Sequence, residues 1–283
     1  MTTIKIAGVP EHFNLPWHLC IEDEAFKSEN INLEWTDIPE GTGKMCQMLR
    51  DNEIDIAVIL TEGIVKDIIK GNKSKIVQIY VDSPLIWGIH VASNSNYNVL
   101  SDLEDKKIAI SRLGSGSHLM AYVNAKNQNW KIDNLQFEIV NTIDGAVEAL
   151  TNGTADYFMW ERFMTQPYVD KGIFRKIDDC PTPWPCFVIA VNNKILESQP
   201  EIIKKILKII NHKTKDLKQL PNIEYIFASK YNLKISAVQH WLSMTEWSQK
   251  NLDDNMLNKI QNQLFELKII DKKSTFTEIV KSM

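Results

Sequence analysis

The sequence predicts an α/β protein of two doubly wound lobes, joined by two crossover strands and completed by a helical C-terminal segment. Three observations carry this. Strand-length apolar runs alternate with helical segments through about residue 170, one polar turn recurs in both halves of that region, and beyond Gln199 only helical periodicity remains.

Taken in order, Thr3–Ala7 is a strand, and Asn14 with Pro16 starts a helix through about Lys27 that carries Trp17, Leu19, Cys20 and Phe26. Ile31–Asp37 is a second strand and Gly41–Asp51 a helix. Ile54–Leu60, long and β-branched, is a buried strand; Thr61-Glu62-Gly63 then turns into a short helix ending near Gly71. Lys75–Tyr80 is the next strand. Alternation of this kind predicts a parallel sheet covered by helices on both faces.

The pattern repeats: strand Lys107–Ser111, helix Ser117–Gln128, strand Gln136–Val140, helix Asp144–Thr151, strand Ala155–Trp160, and a short helix Glu161–Asp170 interrupted by Pro167. Leu49–Asp55 and Leu150–Asp156 both end a helix on leucine, cross a polar turn and place an aspartate at the mouth of an apolar strand. Each strand closes on an acidic turn, Thr61-Glu62-Gly63 or Trp160-Glu161-Arg162, so two similar lobes are expected. Leu85–Ala92 carries the chain out of the first lobe, and Cys186–Val191, preceded by the stiff Pro181–Pro185, brings it back. The lobes are therefore 1–87 with 187–283, and 88–186. The tail helices, 199–219, 222–231, 235–247 and 253–267, are expected to pack on the first lobe.

With 44% apolar and 24% charged residues in 283, the chain can bury a core without staples. A net charge of −4 with dispersed lysines argues against a nucleic-acid partner. No apolar run reaches the roughly 18 residues that insertion into a membrane requires. Met1-Thr2-Thr3 leads directly into Ile4-Lys5-Ile6-Ala7-Gly8, with no leader pattern, so a cytoplasmic location is expected. Cys20, Cys46, Cys180 and Cys186 lack C-x-x-C spacing and read as buried free thiols, and the six histidines show no paired ligand spacing. No metal site and no cofactor are predicted.

The chemistry concentrates in Ile108–Tyr122. A strand stops at Ser111, a loop with Gly114 and Gly116 follows, and a helix begins. Glycines let backbone approach a ligand, and the free N–H groups of a helix start favour an anion. Ser115 and Ser117 add hydroxyls, and His118 lies on the first turn. The same residues would also make a tight turn with a serine cap. The loop is not a Walker motif, because no G-K-[S/T] follows, and it lacks the third glycine of a dinucleotide fingerprint.

Ile54–Gly63, the Ser111–His118 loop, Asp144–Trp160 and Pro183–Asn192 together resemble the type II periplasmic-binding-protein fold across nearly the whole chain. Within that superfamily the sequence is similar to cytoplasmic relatives of the thiamine-pyrimidine synthase and alkanesulfonate-binding proteins. The resemblance implies a ligand in a cleft between lobes that close by hinge motion. It puts Phe13, Asn14, Trp17, Thr61 and Glu62, the loop residues Ser111, Arg112, Gly114, Ser115, Gly116, Ser117 and His118, and Trp160, Glu161 and Trp184 around it. Trp17, Trp160 and Trp184 could sandwich a planar ring or simply pack core and hinge. Glu62 and Glu161 could meet ring nitrogens, cap helices, or pair with Lys66 and Arg162. His118 is the candidate for proton handling, or else it fixes the loop.

Two functions follow. One is a non-catalytic protein binding a small anionic, planar or aromatic metabolite, related to the binding components of ABC transporters, with a homodimer left open. The other is a cytoplasmic enzyme on the same fold, similar to the thiamine-pathway pyrimidine synthase or to menaquinone-pathway lyases, with His118, Glu62 and Glu161 as catalytic candidates. The pyrimidine synthase resemblance implies a C-C-C-F-C motif, iron and pyridoxal phosphate. This sequence has no such cluster, and Cys186-Phe187 stands alone in the return strand.

Overall fold

The computed structural model describes residues 1–283. They form two compact units, Met1–Ser83 with Trp184–Met283, and Pro84–Pro183. The first part of unit 1 runs β1 (Thr2–Gly8), α1 (Leu15–Glu22), β2 (Ile31–Asp37), α2 (Thr42–Arg50), β3 (Ile56–Leu60), α3 (Thr61–Ile69) and β4 (Ser74–Val81). Unit 2 follows with β5 (Ile86–Ala92), β6 (Lys107–Ile110), α4 (Gly116–Asn127), β7 (Gln136–Ile139), α5 (Ile143–Asn152), β8 (Tyr157–Glu161), α6 (Arg162–Asp170) and β9 (Phe174–Pro181). The chain re-enters unit 1 as β10 (Phe187–Asn192), α7 (Asn193–Ser198), α8 (Pro200–Asp216), α9 (Ile223–Tyr231), α10 (Ile235–Met244), α11 (Asp254–Glu266) and α12 (Phe276–Ile279). None of these helices is long and apolar enough to cross a membrane.

The two sheets share one plan: β2-β1-β3-β10-β4 in unit 1 and β7-β6-β8-β5-β9 in unit 2. In each, the first three strands are parallel and the fourth is antiparallel to its neighbours. The sheets are therefore mixed, not parallel throughout as the alternation predicts. The reason is that β5 and β10 do not enter through a helix crossover, the device that forces parallel pairing.

The recurring aspartates mark equivalent places. Asp55 accepts the Lys5 amide at 2.8 Å and returns its own amide to the Lys5 carbonyl at 2.8 Å. Asp156 does the same with Lys107, again at 2.8 Å in both directions. Each aspartate thus pins the chain entering β3 or β8 to the neighbouring strand, β1 or β6.

Unit 1 buries Ile4, Ile6, Val58, Ile59, Ile76 and Ile189 completely. At 25 cal/mol per Å², each such side chain contributes on the order of 2 kcal/mol. The tail also closes the β4 edge. Ile79 donates to Lys250 at 2.8 Å, Ser248 to Tyr80 at 2.9 Å, and Lys281 to Ile76 at 2.9 Å, so the edge offers no open ladder.

Several local expectations are corrected. The first helix stops at Glu22, because Glu24 takes a left-handed φ of 54°; Phe26 is nonetheless buried. The α6 helix runs through Pro167 rather than breaking there. Strand β9 was not anticipated: FRKIDDCP carries no alternation, only Phe174 and Cys180 are buried, and it pairs with β5 alone as an edge. Short α7 and α12 were likewise unread. The four cysteines are buried free thiols, as expected.

Candidate functional site

Strand β6 ends at Ile110, and buried Ser111 turns the chain into the loop before α4. Gly114 takes a φ of 77°, a conformation that glycine adopts without strain. Ser115 then caps the helix, its Oγ accepting from the His118 amide at 3.3 Å while the Ser115 carbonyl accepts from Leu119 at 3.0 Å. Two amides of the first turn, those of Gly116 and Ser117, have no acceptor in the protein. With the positive end of the helix dipole behind them, they form an anion-favouring pair.

The hydroxyls do not join them. Ser117 is only 1% exposed, and its Oγ accepts from the Ser111 amide at 3.0 Å and lies 3.1 Å from Ser115 Oγ. Ser111, Ser115 and Ser117 therefore fasten the loop to itself instead of facing outward. Arg112, Leu113 and Gly114 form its exposed part.

His118 serves the same local purpose. Its Nδ1 accepts from the Gly114 amide at 3.0 Å, so the ring proton of the neutral form belongs on Nε2. Its ring lies edge-on to Phe137 at 4.7 Å and to Tyr122 at 5.1 Å. These contacts hold the ring against the loop and α4.

Elsewhere in unit 2, Glu161 caps α6: its Oε2 accepts from the Met164 amide at 2.7 Å, and the residue is buried. Trp160, partly exposed, stacks on Phe158 at 5.4 Å and meets Trp87 edge-on at 6.4 Å. Beneath α6, Thr165 Oγ1 and His90 Nε2 are 3.0 Å apart. Burial pushes the His90 imidazole down to about 4, which keeps it neutral.

The remaining candidates lie in unit 1, at the carboxyl ends of β1 and β3 and beside the entry to β10. Asn14 donates from Nδ2 to the Val9 carbonyl at 2.8 Å and so shapes the loop after β1. That loop is close-packed: a Cβ on Gly8 would stand 2.6 Å from the Trp35 ring and 2.8 Å from Asn14 Nδ2. Trp17 is fully buried among Phe26, Trp35 and Tyr80, with centroids near 6 Å, and is a core residue with no face to offer a ring. Thr61 Oγ1 donates to the Pro185 carbonyl at 2.6 Å. Glu62 is 3% exposed and accepts from Trp184 Nε1 at 2.8 Å; burial pushes its carboxyl up to about 7. Trp184 is itself buried, so its indole positions Glu62.

Two residues at these strand ends escaped the sequence reading of the site. Phe187 opens β10 and meets Phe13 at 5.1 Å. Glu11 precedes the short 3-10 turn His12–Asn14. Nothing in Val9-Pro10-Glu11 singles out this half-buried carboxylate; its place in the loop after β1 is the only signal.

Residues 87–180 match a family model described as Ca3427-like PBP. Over its full length the chain is similar in structure to the Candida albicans CA3427 gene product, which is described as defining a new family with the generic periplasmic binding protein fold. The two are 25% identical with a TM-score of 0.89, over 100% of this chain and 97% of that one. The alkanesulfonate-binding protein SsuA from Xanthomonas axonopodis pv. citri, solved bound to MOPS, matches at 13% identity and a TM-score of 0.84 over 100% of this chain and 99% of that chain. The periplasmic aliphatic sulphonate binding protein SsuA from Escherichia coli matches at 16% identity and 0.79, over 99% and 97%. At these identities the two SsuA structures show a shared fold alone. No curated protein matches the chain. By its paired sheets and its full-length likeness to the CA3427 gene product, this chain has the periplasmic binding protein fold, and its segment from β5 to β9 is similar to the Ca3427-like PBP family.

Proposed function

We propose that the protein binds a small anionic, planar or aromatic metabolite and does not transform it. The observation that carries this reading is the start of α4, where the Gly116 and Ser117 amides lack protein acceptors while every neighbouring serine hydroxyl is engaged within the loop. A loop held this firmly by its own side chains presents its amides without further ordering, which is what anion recognition needs. The sulfonate binders among its structural neighbours support the same ligand chemistry.

The test removes one amide and leaves the helix. Gly116 is the first residue of α4, where proline is tolerated, and Ser115 before it is extended at φ −76° and ψ 172°, as a residue preceding proline should be. MOPS and a panel of aromatic carboxylates and phosphates are screened by thermal shift, and the compounds are recovered and analysed. The expected result is a stabilising anion, returned unchanged, whose affinity falls at least about tenfold in Gly116→Pro. Unaltered affinity in that variant removes the α4 start from the site.

A second reading, an enzyme on this fold, is favoured by one observation: Glu62 is a buried carboxyl held near neutrality, the range of a general acid or base. Conversion of the recovered compound, abolished in Glu62→Gln with binding retained, would select it.

A further inference from the structure

The end of α5 carries the one Asn-Gly pair in the sequence, Asn152-Gly153. An asparagine followed by glycine readily loses its side-chain amide, because the next backbone nitrogen lies within reach of Cγ and glycine has no Cβ to obstruct the approach. Its surroundings decide whether such a pair reacts in a folded protein. Asn152 is the last residue of the helix, and Gly153 ends it in the left-handed conformation, at φ 71° and ψ 21°. A Cβ built on Gly153 would meet nothing within 4 Å, and residues 151–154 are all exposed. On either side, Thr151 Oγ1 donates to the Val147 carbonyl at 2.7 Å and Thr154 Oγ1 to the Ala149 carbonyl at 3.3 Å. The Asn152 side chain makes no such bond and stands in solvent.

The cap alone restrains the pair. The Gly153 amide donates to the Ala149 carbonyl, which also receives the Thr154 and Ala155 amides at 2.9 and 3.3 Å. Helix ends open locally at little free-energy cost, so the Gly153 nitrogen is released while the sheet stays folded. Asn94-Ser95, in the loop after β5, is an internal reference: Asn94 is exposed as well and the Ser95 amide is bonded to the Ala92 carbonyl at 3.0 Å, but serine brings a Cβ.

We propose that Asn152 is a site of spontaneous covalent modification that loosens α5. With the cap open, the Gly153 nitrogen gives its proton to solvent and bonds to Asn152 Cγ. The Cγ–Nδ2 bond breaks, the nitrogen takes a proton from solvent and leaves as ammonia, and a five-membered succinimide remains. Water then opens the ring, giving aspartate where the new N–Cγ bond breaks and isoaspartate where the original peptide C–N bond breaks. Either product places a carboxylate at the negative end of the helix dipole, and isoaspartate lengthens the backbone inside the cap. Helix α5 carries Ala146, Ala149 and Leu150 into the unit 2 core, so the modified chain holds that core less firmly. The inference does not rest on the anion reading at α4, and either can fail without the other.

The full-length protein is kept in mildly alkaline buffer at physiological temperature, folded and in urea. Peptides containing Asn152 and Asn94 are then analysed by mass spectrometry with electron-transfer fragmentation, which separates isoaspartate from aspartate. Both products are expected at position 152 of the folded protein, formed at least about tenfold faster than at Asn94. Asn152→Gln, whose longer side chain closes a ring far more slowly, should lose the signal and keep its melting temperature through the incubation, while that of the parent falls. An Asn152 that survives in the folded protein while the urea-unfolded chain converts, earlier conversion at Asn94, aspartate without isoaspartate, or a converted parent that melts unchanged overturns the proposal.

Discussion

Trp184 Nε1 donates to Glu62 Oε2 at 2.8 Å across 122 positions of sequence, tying the turn before β10 to the first turn of α3. Both groups are nearly inaccessible, at 2% and 3% exposure, so the bond pairs a buried donor with a buried acceptor. Replacing Trp184 with phenylalanine keeps an aromatic ring there but removes one of the buried carboxyl's donors. The expected cost is about 1–3 kcal/mol by urea denaturation. A double-mutant cycle with Glu62→Leu, which removes the acceptor, should show coupling between the two, and strict additivity would mean that the bond contributes nothing.

The Glu62 carboxyl also sets a pH dependence. Its folded value of about 7 lies above the ordinary 4.5, so the folded state binds the extra proton between those values. The stability it contributes is fully present below pH 4.5 and is lost as pH rises through 7. Glu62→Gln keeps an acceptor for Trp184 and cannot ionise. The variant should therefore exceed the parent in stability at pH 8 by about 3 kcal/mol, with the difference shrinking towards pH 4.5. A constant difference across that range would show that Glu62 titrates normally.

His90 acts in the opposite sense. Its folded value of about 4 lies below the ordinary 6.5, so the unfolded chain binds more protons in that window. Its contribution is present above pH 6.5 and is lost as pH falls through 4. In a histidine titration by NMR, the His90 ring should stay neutral until the pH approaches 4; a midpoint above 6 would contradict its burial.

Much of this architecture is legible in residue order, and the aspartates show why. Asp55 and Asp156 recur at the same place in two polar turns because the same pair of bonds to Lys5 and Lys107 is needed in each sheet. The glycine loop before α4 is legible for a similar reason: a positive φ at Gly114 and a cap at Ser115 are local requirements. Tertiary facts are not written locally. Trp17 looks like any tryptophan at a helix start, and only its neighbours Phe26, Trp35 and Tyr80 make it core. Strand β9 is invisible because an edge strand buries too little to impose a period. The serine hydroxyls read as ligand donors until the Ser111 amide and the loop's own geometry claim them.

The repeated aspartates give a comparison internal to one molecule. Asp156 accepts from the Lys107 amide through one oxygen and from Tyr97 Oη at 2.7 Å through the other. Asp55 has only the Lys5 amide. Asp156→Ala should therefore cost more than Asp55→Ala, by the worth of one additional bond to a charged group, about 1.5–3 kcal/mol. Urea denaturation of both variants would decide it. Equal losses would mean that the tyrosine contact is too solvent-screened to matter.

Ser117 and Gly116 are adjacent in α4, yet their substitutions should separate. The Ser117 hydroxyl faces inward and holds the Ser111 amide at 3.0 Å, so Ser117→Ala removes loop support while leaving both outward amides in place. Stability should fall by about 1–2 kcal/mol, and anion affinity should fall only modestly, because the donors remain and merely lose some of their ordering. Gly116→Pro should do the reverse: the helix start is retained, one donor is gone, and affinity drops while the melting temperature of the free protein hardly moves. The two variants are compared by calorimetric denaturation and by titration with the anion found in the screen. A larger affinity loss in Ser117→Ala than in Gly116→Pro would mean that the hydroxyl swings outward to the ligand, and that the inward network at Ser111 and Ser115 is a resting arrangement exchanged on binding.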